Sequence, residues 1–157
     1  MTPAASPAEA EPSARGRRVV IVAARFNDFI VASLIKGASA AWAARGGVPE
    51  ELLVVRVPGA FELPLAARKL AGGGRFDAIV ALGCVIRGDT PHFDYVAGEC
   101  ARGLQQASLD TGVPIAFGVL TVENPEQALE RAALSGGNKG GEAMECALEM
   151  AALMARL

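Results

Sequence analysis

Short, continuously apolar segments alternate along this chain with segments in which apolar residues recur every three or four positions. The first kind predicts strands that are buried on both faces, at 19–24, 52–57, 78–86 and 115–121. The second kind predicts helices. Strands that alternate with helices pair in parallel through right-handed crossovers, so we expect an α/β fold. The expected architecture is a three-layer sandwich with a central four-stranded parallel sheet and helices on both faces.

Glycine and proline residues mark the predicted helix boundaries. Gly46-Gly47 and Gly72-Gly73-Gly74 follow the first two helices. Thr90-Pro91 is expected to open the third helix as N-cap and first helical residue, and Asn124-Pro125 opens the fourth. The pattern of strands and helices contains no internal repeat and indicates no second domain. We therefore expect a flexible N-terminal arm at 1–16, rich in Ala, Pro and Ser, and a single domain at 17–157.

The last predicted helix runs from about Glu142 to Leu157 and is apolar over most of its circumference. Its charged residues fall on one narrow stripe: Glu142, Glu145, Glu149 and Arg156. A helix of this kind is buried on more than one side. We expect the side facing away from the sheet to contact another subunit, although an ordinary alanine-rich helix remains the alternative.

Composition excludes several classes of function. Fifteen basic and 17 acidic residues give a net charge of −2, which does not suggest binding to nucleic acid or to an anionic membrane. No apolar run approaches the length of a membrane span, and residues 1–17 lack the apolar middle of a signal peptide, so we expect a cytoplasmic protein. The three cysteines have no metal-ligand spacing and His92 is the only histidine, so no metal site is expected.

The carboxyl ends of the predicted strands carry the unusual polar and aromatic residues. Ligands of open α/β sheets bind beyond these ends. Here they are followed by Arg25-Phe26-Asn27, by the segment from Pro58 to Glu62, by the segment from Arg87 to His92, and by Glu123-Asn124. We therefore expect a ligand site at this edge of the sheet.

The third of these segments is the most specific. Gly88 has no side chain, so a ligand can approach the backbone closely. The helix that Thr90-Pro91 starts presents free backbone amides that can hold a phosphate. His92 lies in the first turn, where an imidazole can accept or pass a proton. A surface histidine without function is the alternative from this segment alone.

Other residues offer weaker evidence for function. Phe26 can stack a planar heterocycle, or it can simply pack on Ile30. Glu62 can bind a ligand, or it can simply stabilise the start of a helix through the helix dipole. Arg131, near the end of the fourth predicted helix, and Lys139, in a glycine-rich loop, can bind an anion, although such a loop is more often a connector. Phe117, within an apolar strand, is interpreted as core from composition.

Together these segments resemble the lumazine synthase family (6,7-dimethyl-8-ribityllumazine synthase) of riboflavin biosynthesis, whose fold is flavodoxin-like. The resemblance spans 18–157 and rests on four motifs in order: Ala24-Arg25-Phe26-Asn27, Pro58-Gly59-Ala60-Phe61-Glu62-Leu63-Pro64, Gly83 to Val96, and Gly137-Asn138-Lys139-Gly140. It implies a transferase that condenses 5-amino-6-(D-ribitylamino)uracil with 3,4-dihydroxy-2-butanone 4-phosphate, releasing phosphate and water. It implies no metal and no organic cofactor.

The resemblance also implies roles for individual residues. His92 is the expected proton-transfer residue, Phe26 stacks the pyrimidine, and Arg131 of a neighbouring subunit binds the phosphate with Asp89 and Thr90. Backbone at Gly83 to Ile86 contacts the ring, and Phe117 and Lys139 reach across from the neighbour. The full set implied to bind substrate is Phe26, Asn27, Gly59, Ala60, Phe61, Glu62, Gly83, Cys84, Val85, Ile86, Asp89, Thr90, Phe117, Arg131 and Lys139.

Two features depart from the family pattern. Asp89 stands where many relatives have a small neutral residue, and a carboxylate there should weaken phosphate binding unless it points away. The stretch Ala132-Ala133-Leu134-Ser135 is also less typical. Both changes bear on phosphate affinity.

The resemblance implies a homo-oligomer with active sites between neighbouring subunits. The expected unit is a pentamer, and the short turn at 135–141 favours a 60-subunit shell over free pentamers. Pro3, Pro7 and Pro12 argue against the shell, because proline cannot donate hydrogen bonds if the arm adds a strand to a neighbour. The resemblance also suggests riboflavin synthase as a partner.

Three alternatives have other functions. A flavodoxin-like FMN carrier needs a Ser/Thr/Gly-rich phosphate loop after the first strand, which the segment from Ala24 to Asn27 does not supply. A receiver domain needs acidic residues before and at the end of that strand, and they are absent. A non-catalytic flavin-binding or shell-forming protein of the same fold is the remaining alternative, against which the retained candidate site residues argue.

Overall fold

The computed structural model describes residues 8–157. In this range four strands form one parallel sheet in the order β2-β1-β3-β4: β1 (Val19–Ala24), β2 (Leu53–Val57), β3 (Ala78–Ile86) and β4 (Ile115–Val122). Five α-helices cover both faces of the sheet: α1 (Asp28–Ala44), α2 (Leu63–Ala71), α3 (His92–Thr111), α4 (Pro125–Ala132) and α5 (Lys139–Met154). Short 3₁₀ turns occupy Pro49–Glu51 and Ala60–Glu62. The predicted α/β sandwich, with its flavodoxin-like strand order, is confirmed.

The core consists of two apolar clusters, one on each face of the sheet. Ile21 and Ala23 of β1 belong to the cluster formed with α1, α4 and α5. Val20 and Val22 belong to the cluster formed with α2 and α3. Successive side chains of a strand point to opposite faces, so a strand covered on both faces must be apolar at every position. All six residues of β1 are buried, which explains its continuously apolar sequence.

Helices α1 and α5 approach so closely that glycine is required at their contact. A Cβ atom at Gly140 would overlap the carbonyl oxygen of Leu34, and one at Gly37 would overlap the amide oxygen of Asn138. Asn138 itself has φ 46° and caps α5, because its side-chain oxygen accepts the Gly141 N–H at 3.3 Å. This cap starts α5 at Lys139 rather than at the predicted Glu142, and the helix ends at Met154, short of Leu157.

The start of α3 also differs from the prediction. Pro91 occupies the N-cap position, so Thr90 is one residue too early to be the cap. The Thr90 hydroxyl instead accepts the backbone N–H of His92 at 3.4 Å. At the fourth helix the prediction is confirmed: the Asn124 side chain accepts the Gln127 N–H at 2.8 Å, and Pro125 is the first helical residue.

The predicted N-terminal arm falls partly outside the described residues, which begin at Ala8. Within the described part, Ala14 is buried and its N–H donates to the carbonyl of Arg45 at 3.0 Å. The flexible arm at 1–16 and the single domain at 17–157 stay predictions. A search of the described helices finds none with the length and apolar character needed to cross a membrane.

Candidate active site

Two adjoining cavities lie at the carboxyl ends of β1 and β3. One measures about 270 Å³ and is lined by Phe26, Asn27, Ala60, Cys84, Val85, Ile86, Gly88, Thr90, His92, Phe93 and Val96. The other measures about 530 Å³ and is lined by Phe26, Pro58, Gly59, Ala60, Phe61, Glu62, His92, Tyr95 and Val96. Phe26 and His92 belong to both. We call this pair of cavities the rim site.

The end of β1 places Phe26 and Asn27 at the rim site. The Phe26 N–H donates to the carbonyl of Pro58 at 3.0 Å, while its ring is 72% exposed. Asn27 adopts a left-handed backbone with φ 62°, and its Nδ2 donates to the carbonyl of Cys84 at 2.9 Å. Asn27 therefore joins the ends of β1 and β3, and part of its amide donor capacity is already used within the protein.

The 3₁₀ turn after β2 forms a second wall of the rim site. The Glu62 N–H donates to the carbonyl of Gly59 at 3.2 Å, which closes the turn. A Cβ atom at Gly59 would lie 3.3 Å from Glu62 Oε1, so glycine leaves room for this carboxylate. Ala60 is buried and Phe61 is exposed. The turn thus presents an acceptor group beside an aromatic ring.

The end of β3 supplies the floor. Cys84 and Val85 are buried, Ile86 is half-buried, and all three line the smaller cavity. Gly83, one residue earlier, is buried and lines neither cavity. Burial raises the pKa of the Cys84 thiol to about 11. At neutral pH this thiol is protonated and is a poor nucleophile.

The first turn of α3 carries the imidazole of His92, which is exposed and borders both cavities. Tyr95 and Val96 also line the rim site because positions three and four apart share one helix face. Sequence reasoning missed these two residues, although their spacing from His92 indicated the shared face. Thr90 lines the smaller cavity, whereas the exposed Asp89 lines neither.

The remaining three predicted residues lie elsewhere. Phe117, Arg131 and Lys139 line a different cavity of about 490 Å³ beside β4, and none of them borders the rim site. We call these three residues the β4 group. Arg131 donates to the carbonyl of its own helix residue Gln127 at 3.3 Å, and Lys139 pairs with Glu142 at 2.7 Å.

The structure overturns one expectation about the β4 group. Phe117 is 49% exposed, so its interpretation as a core residue is wrong. The physical reason is that β4 is an edge strand of the sheet. Apolar residues on such a strand need not be covered by the chain's own helices. Among residues 8–157, no three His, Cys, Asp or Glu side chains cluster in a way that could hold a metal ion.

Comparison with known proteins identifies the family. The family model described as 6,7-dimethyl-8-ribityllumazine synthase matches residues 16–155. A curated relative named 6,7-dimethyl-8-ribityllumazine synthase, from Nitratidesulfovibrio vulgaris (strain DP4), is 53% identical over 149 residues, covering 95% of this chain and 96% of the relative. The match includes the strand ends that form the rim site and the β4 group. The chain belongs to the 6,7-dimethyl-8-ribityllumazine synthase family.

Proposed function

We propose that this chain condenses 5-amino-6-(D-ribitylamino)uracil with 3,4-dihydroxy-2-butanone 4-phosphate at the rim site. Its family makes the chain a transferase of riboflavin biosynthesis that forms 6,7-dimethyl-8-ribityllumazine. One observation carries the location: an exposed aromatic ring, a carboxylate and the only histidine of the chain line adjoining cavities at the strand ends. These are the groups that a planar, hydroxylated substrate and a proton transfer require.

The pyrimidine is proposed to stack on Phe26. The exposed ring of Phe26 offers a flat apolar face. The hydrogen bond from the Phe26 N–H to the carbonyl of Pro58 fixes the backbone that carries this ring. The ribityl hydroxyls can donate to the Glu62 carboxylate beside Ala60 and Phe61. Backbone groups from Cys84 to Ile86 then lie along the ring edge. Asn27 shapes this wall through its hydrogen bond to the Cys84 carbonyl.

The phosphate is proposed to lie at the start of α3, beside Thr90. The N-terminus of a 20-residue helix presents backbone N–H groups and a partial positive charge to an anion. A guanidinium from the β4 group of a neighbouring subunit would add a charge-assisted, bidentate contact through Arg131. Asp89 lines neither cavity, which supports an outward-pointing carboxylate that does not oppose this binding.

The active site is therefore proposed to be shared between subunits of a homo-oligomer. Support comes from the separation of the β4 group from the rim site within one chain. The outward side of α5 is also apolar: Met150 and Met154 line a cavity of about 460 Å³ together with Leu109 of α3. A pentamer, and a 60-subunit shell assembled from pentamers, are the proposed states. Riboflavin synthase as a partner and the cytoplasmic location stay predictions.

The proposed mechanism relies mainly on positioning. The amine of the ribitylaminouracil is already a nucleophile, so the protein need not activate a side chain of its own. Holding two substrates in adjoining cavities removes most of the entropic cost of their encounter. The imidazole of His92 then accepts and returns protons as the amine adds to the carbonyl and as phosphate and water leave.

The test is direct. The purified protein is mixed with both substrates, and formation of the fluorescent lumazine is followed together with phosphate release. We expect both products in equal amounts, and a reduction of kcat by about 10- to 1,000-fold in His92→Ala with little change in either KM. Wild-type turnover in His92→Ala would contradict the role of His92. Absence of lumazine, with a yellow flavin bound to the purified protein, would favour a flavin-binding function instead.

A further inference from the structure

Arg87 connects the end of β4 to the turn that precedes α3. Its backbone N–H donates to the carbonyl of Val122 at 2.9 Å, which fixes the turn against the last residue of β4. Its Nε donates to Glu123 Oε2 at 2.8 Å. This ion pair orients the side chain through Nε, and the rest of the guanidinium lies toward α3.

The same guanidinium contacts the first turn of α3 in two ways. Its Cζ lies 4.3 Å from the centroid of the Phe93 ring, within the range of a cation–π interaction. Its Nη1 lies 3.5 Å from Asp94 Oδ1. Phe93 and Asp94 directly follow His92, and Phe93 lines the smaller cavity of the rim site. Arg87 therefore holds the two residues next to the imidazole.

Within the described residues this first turn is also held by the Asp94 N–H, which donates to the carbonyl of Pro91 at 3.0 Å, and by Phe93, which packs against the cluster formed with α2 and α3. The N-cap residue Pro91 provides no side-chain cap hydrogen bond. The His92 N–H donates to the Thr90 hydroxyl at 3.4 Å, which is a long hydrogen bond. Among residues 8–157 the imidazole has no hydrogen-bond partner. The location of the imidazole therefore depends on the backbone of the turn and on the neighbouring Phe93.

The geometry points to Arg87 as a positioning residue for His92, an inference that rests on the proposed function of the rim site. Proton transfer requires the imidazole within hydrogen-bond reach of the reacting atoms, and a displacement of about 1 Å can lower a rate about 100-fold. Arg87 acts without contacting substrate. Both Glu123 and Asp94 engage its guanidinium, so its charge is already compensated and is less available to a phosphate.

The first experiment compares steady-state kinetics of Arg87→Ala, Arg87→Lys and the matched control Arg102→Ala. Arg102 is an exposed arginine of α3 that pairs with Glu99 at 2.6 Å and lines neither cavity of the rim site. We expect Arg87→Ala to lower kcat about tenfold with both KM values within about twofold of wild type. Arg87→Lys should recover part of the loss because the ammonium retains the ion pair with Glu123. Arg102→Ala should match wild type.

Two kinetic results would overturn the inference. A selective increase in KM for the phosphorylated substrate would make Arg87 a phosphate ligand. An equal loss of kcat in Arg102→Ala would mean that removing any ion pair of α3 lowers kcat, so that Arg87 has no specific role. If Arg87→Ala does not fold, Glu123→Gln takes its place, because it removes the charge that orients the guanidinium while retaining the side-chain shape. Its kcat should then fall with unchanged KM values.

The second experiment asks whether Arg87 acts through His92. In a His92→Ala background, Arg87→Ala should cause no further loss of kcat, whereas an undiminished tenfold loss would show that it acts elsewhere. Because His92 is the only histidine, histidine labelled with ¹³C at Cε1 alone gives one imidazole NMR signal per subunit. Arg87→Ala should broaden or split this signal, and Arg102→Ala should not.

An unchanged imidazole signal in Arg87→Ala would overturn the positioning role independently of any activity. Wild-type turnover in His92→Ala, by contrast, would contradict the proposed function of His92. The two failures are therefore distinguishable.

Discussion

Mixed oligomers of two impaired variants test whether the active site is shared between subunits. His92→Ala damages the rim site, and Arg131→Ala damages the β4 group, which lines a separate cavity of the same chain. In a shared site, the rim site of one subunit is completed by the β4 group of its neighbour. A site is then intact only where an Arg131→Ala subunit supplies the rim site and a His92→Ala subunit supplies the β4 group.

The expected magnitude follows from this pairing. In randomly reassembled oligomers with equal amounts of both variants, each of the two conditions holds with a probability of about one half, so about one quarter of the sites are intact. With the phosphorylated substrate kept well below its wild-type KM, where both variants are slow, lumazine formation should recover to about one quarter of the wild-type rate. The variants are unfolded separately in urea, mixed, refolded and assayed, and light scattering confirms the assembly. A mass near one chain would exclude the shared site.

The matched control mixes His92→Ala with Glu62→Gln. Both substitutions lie in the rim site, so a mixed oligomer contains no intact rim site, and no recovery is expected. Recovery in this control would show that the two halves of the rim site come from different chains. No recovery in verified mixed oligomers of His92→Ala and Arg131→Ala would refute the shared site. It would require Arg131 to act within its own chain.

Three further predictions concern the phosphate, the helix contact and pH. Arg131→Ala should raise KM about tenfold or more for the phosphorylated substrate and leave KM for the pyrimidine nearly unchanged, as steady-state kinetics would show; equal effects would make Arg131 structural. Gly140→Ala should lower the free energy of unfolding by about 2–4 kcal/mol in urea titrations, because its methyl group meets the Leu34 carbonyl; an unchanged midpoint would contradict the close contact. Burial raises the pKa of Cys100 from 9.0 to about 12, so only the unfolded thiol ionises near pH 10, and stability present below pH 9 is lost as pH rises. The decrease in unfolding free energy between pH 8 and pH 10 should be about 1.4 kcal/mol smaller in Cys100→Ala; an equal decrease would contradict this account.

The fold was predictable from the sequence where burial determines residue type at every position. β1 and β3 match their predicted bounds because both strands are covered on two faces, and each requires an unbroken apolar run. β2 begins one residue later than predicted, and Leu53 within it is exposed. An edge strand has weaker requirements, so its apolar pattern defines its ends less well.

The start of α5 could not be read from helix patterns. Gly140 and Gly141 have low helix propensity, which favoured a loop up to Glu142. In the structure these glycines lie in the helix because α1 approaches too closely for any side chain at Gly140. Asn138, in a left-handed conformation, caps the helix just before them. Here a tertiary contact requires glycine at Gly140, and the low helix propensity of glycine then outweighs the cap residue Asn138 when the segment is judged alone.

The candidate site was likewise predictable from the sequence only in part. Phe26, Glu62 and His92 follow strands or open a helix at one edge of the sheet, so the rule for open α/β sheets brings them together from sequence order alone. Phe117 and Arg131 follow no such rule, because Phe117 lies within β4 and Arg131 near the end of α4, where both line a separate cavity. Composition placed Phe117 in the core, because an apolar strand segment alone does not distinguish a buried aromatic residue from an exposed one. An exposed aromatic ring on an edge strand is distinguished from a core residue only once the sheet order is known, and that order places β4 at an edge of the sheet, where the proposed shared site would draw on a neighbour.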